Sequence, residues 1–302
     1  SASQSVEVTS FTNPNGNWGY NLTESYLAHN VTYYLWVRAT DLPGNAQSTF
    51  SATLGNTWVS STSFNYDVAP PTSAITRLTN FKFYRRENLP MIAGTAEDEG
   101  EGGRVVSSSY SMRDTAAGWW EGSTFTAGGE GYYGLNSGGG RNWSVAMSTP
   151  ALVDGRTYGV RFIAVDRAGN AESLKAMTSF YFDISTPTTK IQKPGDGDYL
   201  ASLLTISGTA GDSLIASQSL DKIEFEIKVD TGGYYQAQTN NFDAVSSSWN
   251  MAITTVTPPT KWLWSYENIP WVSGRKYTLR TKATDKAGNV QDVFSLNVNS
   301  VT

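Results

Sequence analysis

An all-β chain built of tandem antiparallel β-sandwich units is the fold class predicted by the 302-residue sequence, and three observations carry it. The first is a phrase that recurs: Arg38-Ala39-Thr40-Asp41-Leu42-Pro43-Gly44-Asn45, Ile163-Ala164-Val165-Asp166-Arg167-Ala168-Gly169-Asn170, and Lys282-Ala283-Thr284-Asp285-Lys286-Ala287-Gly288-Asn289. Its aspartates lie 125 and 119 residues apart, an interval too long for a helical solenoid and suited to a whole β-domain. The second is alternation: Tyr158, Val160, Phe162 and Ala164 fall on one face of an extended segment, as do Ile223, Phe225, Ile227 and Val229, which is the period of a half-buried strand. The third is composition, 13% aromatic with Thr, Ser, Val, Gly and Asn between, the residues of strands and turns. Helix is expected to be nearly absent.

The units follow from matching landmarks. Met91-Ile92-Ala93-Gly94-Thr95-Ala96-Glu97-Asp98 answers Thr205-Ile206-Ser207-Gly208-Thr209-Ala210-Gly211-Asp212 as a second strand. Trp119, Trp120 and Phe125 precede Trp143, Pro150, Gly155 and Tyr158, just as Tyr234, Tyr235 and Phe242 precede Trp264, Pro270, Gly274 and Tyr277. Each unit closes with the recurring phrase and then Phe64-Asn65-Tyr66-Asp67 before Pro70-Pro71, or Phe180-Tyr181-Phe182-Asp183 before Pro187, so the Pro/Thr stretches read as short stiff linkers. The expected division is 1–67, 68–184 and 185–302, with about seven strands in each complete unit. Residues 1–67 match only the second half of a unit, from about Val6 and Phe11 through Trp18 to Asp41. Half a sandwich cannot bury a core; the missing strands are expected upstream in a longer polypeptide, or else from another subunit by β-augmentation. Asn297-Val298-Asn299 replaces the earlier linker ending and hints at a terminus. In the recurring turn, Gly44, Gly169 and Gly288 are expected to take positive φ while the Asp side chain accepts turn N–H groups.

These residues resemble the tandem bacterial immunoglobulin-like modules of large extracellular surface proteins and adhesins, whose units commonly close with A-T-D-x-A-G-N and join through D-x-x-x-P. The resemblance implies a tandem immunoglobulin-like β-sandwich fold and a bacterial extracellular or cell-surface location. It leaves function open, because such modules serve stalks, filaments, adhesins and enzyme appendages alike. Units near 117 residues are longer than the shortest members of that family, the excess lying mainly in Gly128 to Gly140 and Ser246 to Lys261.

Charge and chemistry narrow the functions. A net charge of −5 with no Lys/Arg cluster offers nothing to a phosphate backbone, so nucleic acid is not expected as a partner. The absence of cysteine excludes disulfides, thiolate catalysis and Cys-ligated zinc, and suits an oxidising exterior. No apolar run approaches a membrane span, and no signal peptide is evident within the segment. One histidine, His29, reads as satisfied or solvent-facing rather than catalytic. The acids recur at turn positions, which favours structure over a catalytic carboxylate pair, and no nucleotide-binding or zinc-protease motif occurs. Gly138-Gly139-Gly140 reads as a plain loop and Pro194-Gly195-Asp196-Gly197-Asp198 as a turn. Asn21, Asn30 and Asn142 head N-x-S/T triplets that a bacterial source would make accidental.

Two site expectations remain. In a sandwich of this topology, the loop after the second strand and the recurring turn lie at the end that meets the preceding linker. Asp67, Asp98 and Asp166, with Glu99 and Glu101 nearby, are expected to meet at the first junction, and Asp183, Asp212 and Asp285 at the second. Such oxygen sets suit calcium, which would stiffen the hinge; the alternative is that these aspartates only cap turns or stand in solvent. Some adhesins of the resembled family carry calcium there. The second expectation is a glycan or subunit contact on Trp119, Trp120, Trp262 or Trp271, with Trp262 and Trp271 foremost at the surface because they do not repeat. The function these features point to is a non-catalytic structural array of an extracellular bacterial surface protein, filament or adhesin stalk, contacting neighbouring modules or other copies of itself. The alternative is a carbohydrate-binding or ancillary module set of a secreted enzyme.

Overall fold

The structure is a computed structural model that describes residues 19–49, 60–99, 104–135, 142–145, 152–173, 177–212, 219–257 and 261–302. Val6, Phe11, Trp18, Glu101, Pro150 and the run Gly138-Gly139-Gly140 therefore lie outside the described residues. In the first segment a short 3-10 turn, Glu24–Tyr26, precedes β1 (Val31–Trp36), which pairs antiparallel with β2 (Ser61–Tyr66). Among the described residues of this segment no hydrophobic side chain is buried, and Tyr34, Leu35 and Trp36 stand exposed.

The central sandwich runs through β3 (Thr72–Ile75), β4 (Lys82–Tyr84), β5 (Ile92–Glu97), β6 (Val105–Asp114), β7 (Gly118–Trp120), β8 (Phe125–Thr126), β9 (Tyr133–Gly134), β10 (Asn142–Val145), β11 (Arg156–Asp166) and β12 (Thr178–Phe182). One sheet has the order β10-β5-β3; the other is β4-β12-β11-β6-β7-β8, with β9 added to β6. All pairs are antiparallel except β4 beside β12. Alternation on β11 sends Tyr158, Val160, Phe162 and Ala164 inward, where they meet Ile92, Met112, Trp143, Phe180 and Phe182.

The C-terminal sandwich repeats the plan with β13 (Thr188–Lys193), β14 (Thr205–Gly211), β15 (Leu220–Val229), β16 (Tyr234–Gln236), β17 (Asn241–Ala244), β18 (Asn250–Met251), β19 (Ile253–Thr257), β20 (Lys261–Glu267), β21 (Tyr277–Asp285) and β22 (Ser300–Val301). Its sheets are β13-β14-β20-β19 and β17-β16-β15-β21-β22, with β18 on β15. Ile223, Phe225, Ile227, Ile206 and Trp264 form a separate core, each such side chain contributing about 1.5–3 kcal/mol by leaving water. The two cores share no member, so the linker from Asp183 to Pro187 joins bodies that fold around their own apolar faces.

The repeated Ile-x-Gly-Thr-Ala phrase has a packing cause. Gly94 sits opposite Trp143 and Gly208 opposite Trp264 in the strand registers. A Cβ on Gly94 would lie 2.4 Å from the Trp143 ring and 1.9 Å from the Ala74 carbonyl; on Gly208 it would lie 2.6 Å from Trp264 and 2.0 Å from the Lys190 carbonyl. The glycine is thus the berth of the core indole, whose Nε1–H donates to the next residue's carbonyl, Thr95 at 3.1 Å or Thr209 at 3.3 Å. The fold is an all-β immunoglobulin-like sandwich. Among the described residues no α-helix occurs, and none is long and apolar enough to cross a membrane.

Candidate metal centre

Each junction is assembled from one tight hairpin. In the three copies Gly44, Gly169 and Gly288 take φ of 94°, 95° and 92°, a left-handed geometry that glycine adopts without the Cβ penalty. The Asp carboxylate closes the turn: Asp41 Oδ1 accepts the Asn45 N–H at 2.7 Å, Asp166 Oδ1 the Asn170 N–H at 2.8 Å, and Asp285 Oδ1 the Asn289 N–H at 2.8 Å. The Asn side chain closes it from the other side, its Nδ2 donating to the second oxygen of the same Asp at 2.8 Å in every copy.

The Asn also reaches the linker. Asn170 Nδ2 donates to the Asp67 carbonyl, and Asn289 Nδ2 to the Asp183 carbonyl, both at 3.1 Å. Two residues beyond each Asn, a second side chain holds the far end of the linker. Glu172 accepts the Ser73 N–H at 2.8 Å and its hydroxyl at 2.6 Å; Gln291 accepts the Thr189 N–H at 3.0 Å and its hydroxyl at 2.8 Å. The signal for this second grip is in the sequence as Gln47, Glu172 and Gln291 at one repeat position, although hydrogen-bonding residues after a turn carry no distinctive mark by themselves.

Gripped in this way, the linker Asp turns its carboxyl toward the hairpin. Asp67 Oδ1 accepts the Ala69 N–H and Asp183 Oδ1 the Ser185 N–H, both at 3.1 Å, while the Oδ2 of each is buried without a hydrogen-bond partner. The third carboxyl follows the second strand: Asp98 succeeds β5 and Asp212 succeeds β14. A carboxylate oxygen from each of Asp67, Asp98 and Asp166 lies within 4.8 Å of the other two, and Asp183, Asp212 and Asp285 form the same set. All six sequence-expected aspartates therefore converge as two triads. Glu99 is exposed and stands apart from the first triad.

Electrostatics show what this convergence costs. Burial, reinforced by the Asp212 and Asp285 carboxylates, pushes Asp183 up to about 7. Burial also raises Asp98, with the Asp67 and Asp166 charges adding to it. Three carboxylates brought this close repel one another, and each buried anionic oxygen lacking a donor is destabilising. A hard divalent cation would neutralise the repulsion and fill the empty oxygen valences, and carboxylate oxygens are the donor type that calcium takes. Asp41, the third turn aspartate, joins no such group among the described residues.

Around the first triad His29 supplies a contact that a lone histidine in the sequence does not announce: its Nδ1 lies 3.1 Å from Asp67 Oδ1. The Pro194-Gly195-Asp196-Gly197-Asp198 segment is a turn, with Asp198 accepting the Gly195 N–H at 2.7 Å and Asp196 the Thr302 N–H at 2.8 Å. The tryptophans have other places. Trp119 lies half-buried between the guanidinium groups of Arg113 and Arg161, at 5.5 and 5.7 Å from its ring. Trp120 packs on Phe125 at the rim of the central core. Trp262 and Trp271, the foremost surface candidates, are half-buried: both pack one side against the C-terminal core, and Trp271 donates its Nε1–H to the Leu203 carbonyl at 2.8 Å. Residues that do not repeat have here been drawn toward the core of their own unit.

Residues 189–299 match the family described as the bacterial Ig-like domain. No curated protein matches the chain. Among solved structures, the chain is similar to the fibronectin(III)-like modules of Clostridium thermocellum CbhA, at 15% identity over 76% of this chain and 92% of that one, with a TM-score of 0.34. It is also similar to a tetra-tandem repeat in the extending region of a large adhesion protein, at 17% identity over 92% of this chain and 58% of that one, with a TM-score of 0.30. Residues 189–299 are thus similar to the bacterial Ig-like domain, and the repeated landmarks make the central sandwich a second copy of the same plan.

Proposed function

We propose that this chain is a non-catalytic structural segment of an extracellular bacterial surface protein, a filament or adhesin stalk, whose modules 68–184 and 185–302 follow a half module at 1–67 and whose junctions are set by calcium. The observation that carries this reading is the repetition of one three-aspartate group at both linkers. A single cluster of acids is common on any acidic protein. Two equivalent clusters, each drawing one carboxyl from the linker, one from the loop after the second strand and one from the recurring turn, belong to the joint itself. Ion binding there ties a preceding linker to the following module at three points, converting a flexible connection into a fixed angle. Ig-like modules of this kind are generally non-catalytic and typical of extracellular proteins. Isothermal titration with CaCl2 tests the proposal: two sites per chain are expected, reduced to one by Asp183→Asn with Asp285→Asn. Absence of calcium binding by the chelated full chain, with its melting temperature indifferent to EDTA, would overturn it.

A further inference from the structure

The seam between the central and C-terminal sandwiches holds a second feature, independent of the carboxylate triads. The turn of the C-terminal sandwich is seated on the loop after β4: Arg85 Nη1 donates to the Gly288 carbonyl at 2.8 Å and Asn88 Nδ2 to the Ala287 carbonyl at 2.7 Å, leaving Ala287 buried. Beside this clasp lies an open groove of about 510 Å³ whose walls come from both sandwiches: Phe81, Lys82, Phe83 and Tyr181 from one, Lys286 from the other.

We infer that this groove binds an acidic polysaccharide through a hexuronate residue. Phe81 and Tyr181 give the groove its aromatic wall: Tyr181 is backed by the buried Phe83, on which it stacks at 4.5 Å between centroids, and meets Phe81 at 6.3 Å. Phe81 is 59% exposed and is held at a φ of 57°. A bulky side chain in the left-handed region is strained. It is kept there by backbone pairing, the Phe81 N–H donating to the Ser179 carbonyl at 2.6 Å and the Ser179 N–H to Asn80 Oδ1 at 2.8 Å. The other non-glycine residues at positive φ among those described are all asparagines, so this pairing fixes an exposed aromatic ring at the groove where a small polar residue would suffice for the turn.

Charge selects the ligand. Lys82 and Lys286 are exposed at the groove, the Lys286 ammonium lies 5.7 Å from the Phe83 ring centre, and no acid lines it, in a chain that carries five more acids than bases. An occupant needs a flat apolar face for the rings and a carboxylate at its edge for the ammonium groups, which a pyranose uronate combines. The open platform has no deep pocket for a peptide side chain. Sites formed between domains are a recurrent location for ligands, and here the clasp of Arg85 and Asn88 holds both walls without a metal ion.

The test is titration of the full chain, followed by amide NMR shifts and calorimetry, with a β-1,4-linked tetraglucuronate, with neutral cellotetraose as its isostere, and with hexaglutamate as an acidic peptide, each in EDTA and in calcium. Tetraglucuronate is expected to bind in both buffers and to shift residues 80–83 and 286. Cellotetraose is expected to bind at least tenfold more weakly. Phe81→Ala and the pair Lys82→Gln with Lys286→Gln should each weaken uronate binding at least tenfold without altering the melting temperature by more than a few degrees. Binding retained in both variants, equal binding of cellotetraose, preference for hexaglutamate, or no binding of tetraglucuronate in either buffer would each overturn the inference. Uronate binding in EDTA with no calcium uptake would separate it from the calcium reading, which would then fail alone.

Discussion

The two junctions carry the same triad in different settings. At the second, the hairpin tip is engaged by the preceding sandwich through Arg85 and Asn88, and Ala287 is only 1% exposed. At the first, the equivalent Ala168 is exposed, and the linker aspartate is instead accompanied by His29 from a segment with no buried apolar residue among those described. The turn, the linker grip and the carboxylates are therefore the repeated unit of the joint, while what surrounds them is particular to each neighbour. Two hydrogen bonds to backbone carbonyls, from Arg85 and Asn88, give the second junction an attachment that does not depend on a bound metal ion. The first has little besides its triad and the Asn170 grip.

Calcium removal should divide the junctions most sharply. At a hundredfold excess over Kd each site would add about 2.7 kcal/mol, so chelation is expected to lower the thermal transition by about 10 °C or more. In EDTA, residual dipolar couplings should show the first segment reorienting freely while the two sandwiches keep their mutual angle. Equal loosening of both junctions would erase the distinction drawn here.

A pH series in cation-free buffer probes the second triad next. With Asp183 pushed up to about 7 from its ordinary 3.8, the folded state holds a proton that the unfolded state has already released. The stability this contributes is present below about pH 4 and lost as pH rises through about 7. The C-terminal sandwich should thus melt at a higher temperature at pH 5 than at pH 8 in EDTA, and Asp183→Asn or saturating calcium should flatten the slope. A melt that rises with pH in EDTA would contradict the burial of an uncompensated carboxyl.

The clasp comes third. Arg85→Ala and Asn88→Ala are each expected to cost about 1 kcal/mol and to widen the distribution of angles between the sandwiches in small-angle scattering, leaving calcium affinity at the first junction unchanged. The smallest effect is expected at His29, partly exposed and paired with Asp67. His29→Gln should change stability by under about 1 kcal/mol, with chemical shifts confined to the first junction. A His29→Gln effect spreading to Asp183 or Asp285 would mean that the junctions communicate, which nothing in their separate cores provides.

Much of this geometry is legible in the sequence, for a physical reason that also marks where reading stops. Repetition exposes whatever every unit needs: the turn glycine and its Asp cap, the Gly–Trp berth at Gly94 with Trp143 and Gly208 with Trp264, and the six aspartates that sandwich topology delivers to two linkers. Residues without a counterpart lose that signal. Arg85 and Asn88 act across the seam with only local partners in the chain to announce them, and His29 acquires its role from a linker 38 residues away. Trp262 and Trp271, unmatched in the central unit, suggest a surface role, yet they pack on the C-terminal core. An aromatic excess does not reveal which rings a core absorbs, and the one ring held exposed under strain, Phe81, has no compositional mark.

The paired grips on each linker have a consequence for any longer array. Asn170 holds the carbonyl of Asp67 while Glu172 holds Ser73, and Asn289 holds Asp183 while Gln291 holds Thr189. Both grips sit on one hairpin two residues apart, so the hairpin acts as a gauge block for the connector. One inserted or deleted linker residue would leave one of the two grips empty. The spacing and twist from unit to unit are thereby metered by a pair of side chains, and a fibre built on this plan would inherit a constant pitch from a local measurement repeated at every joint.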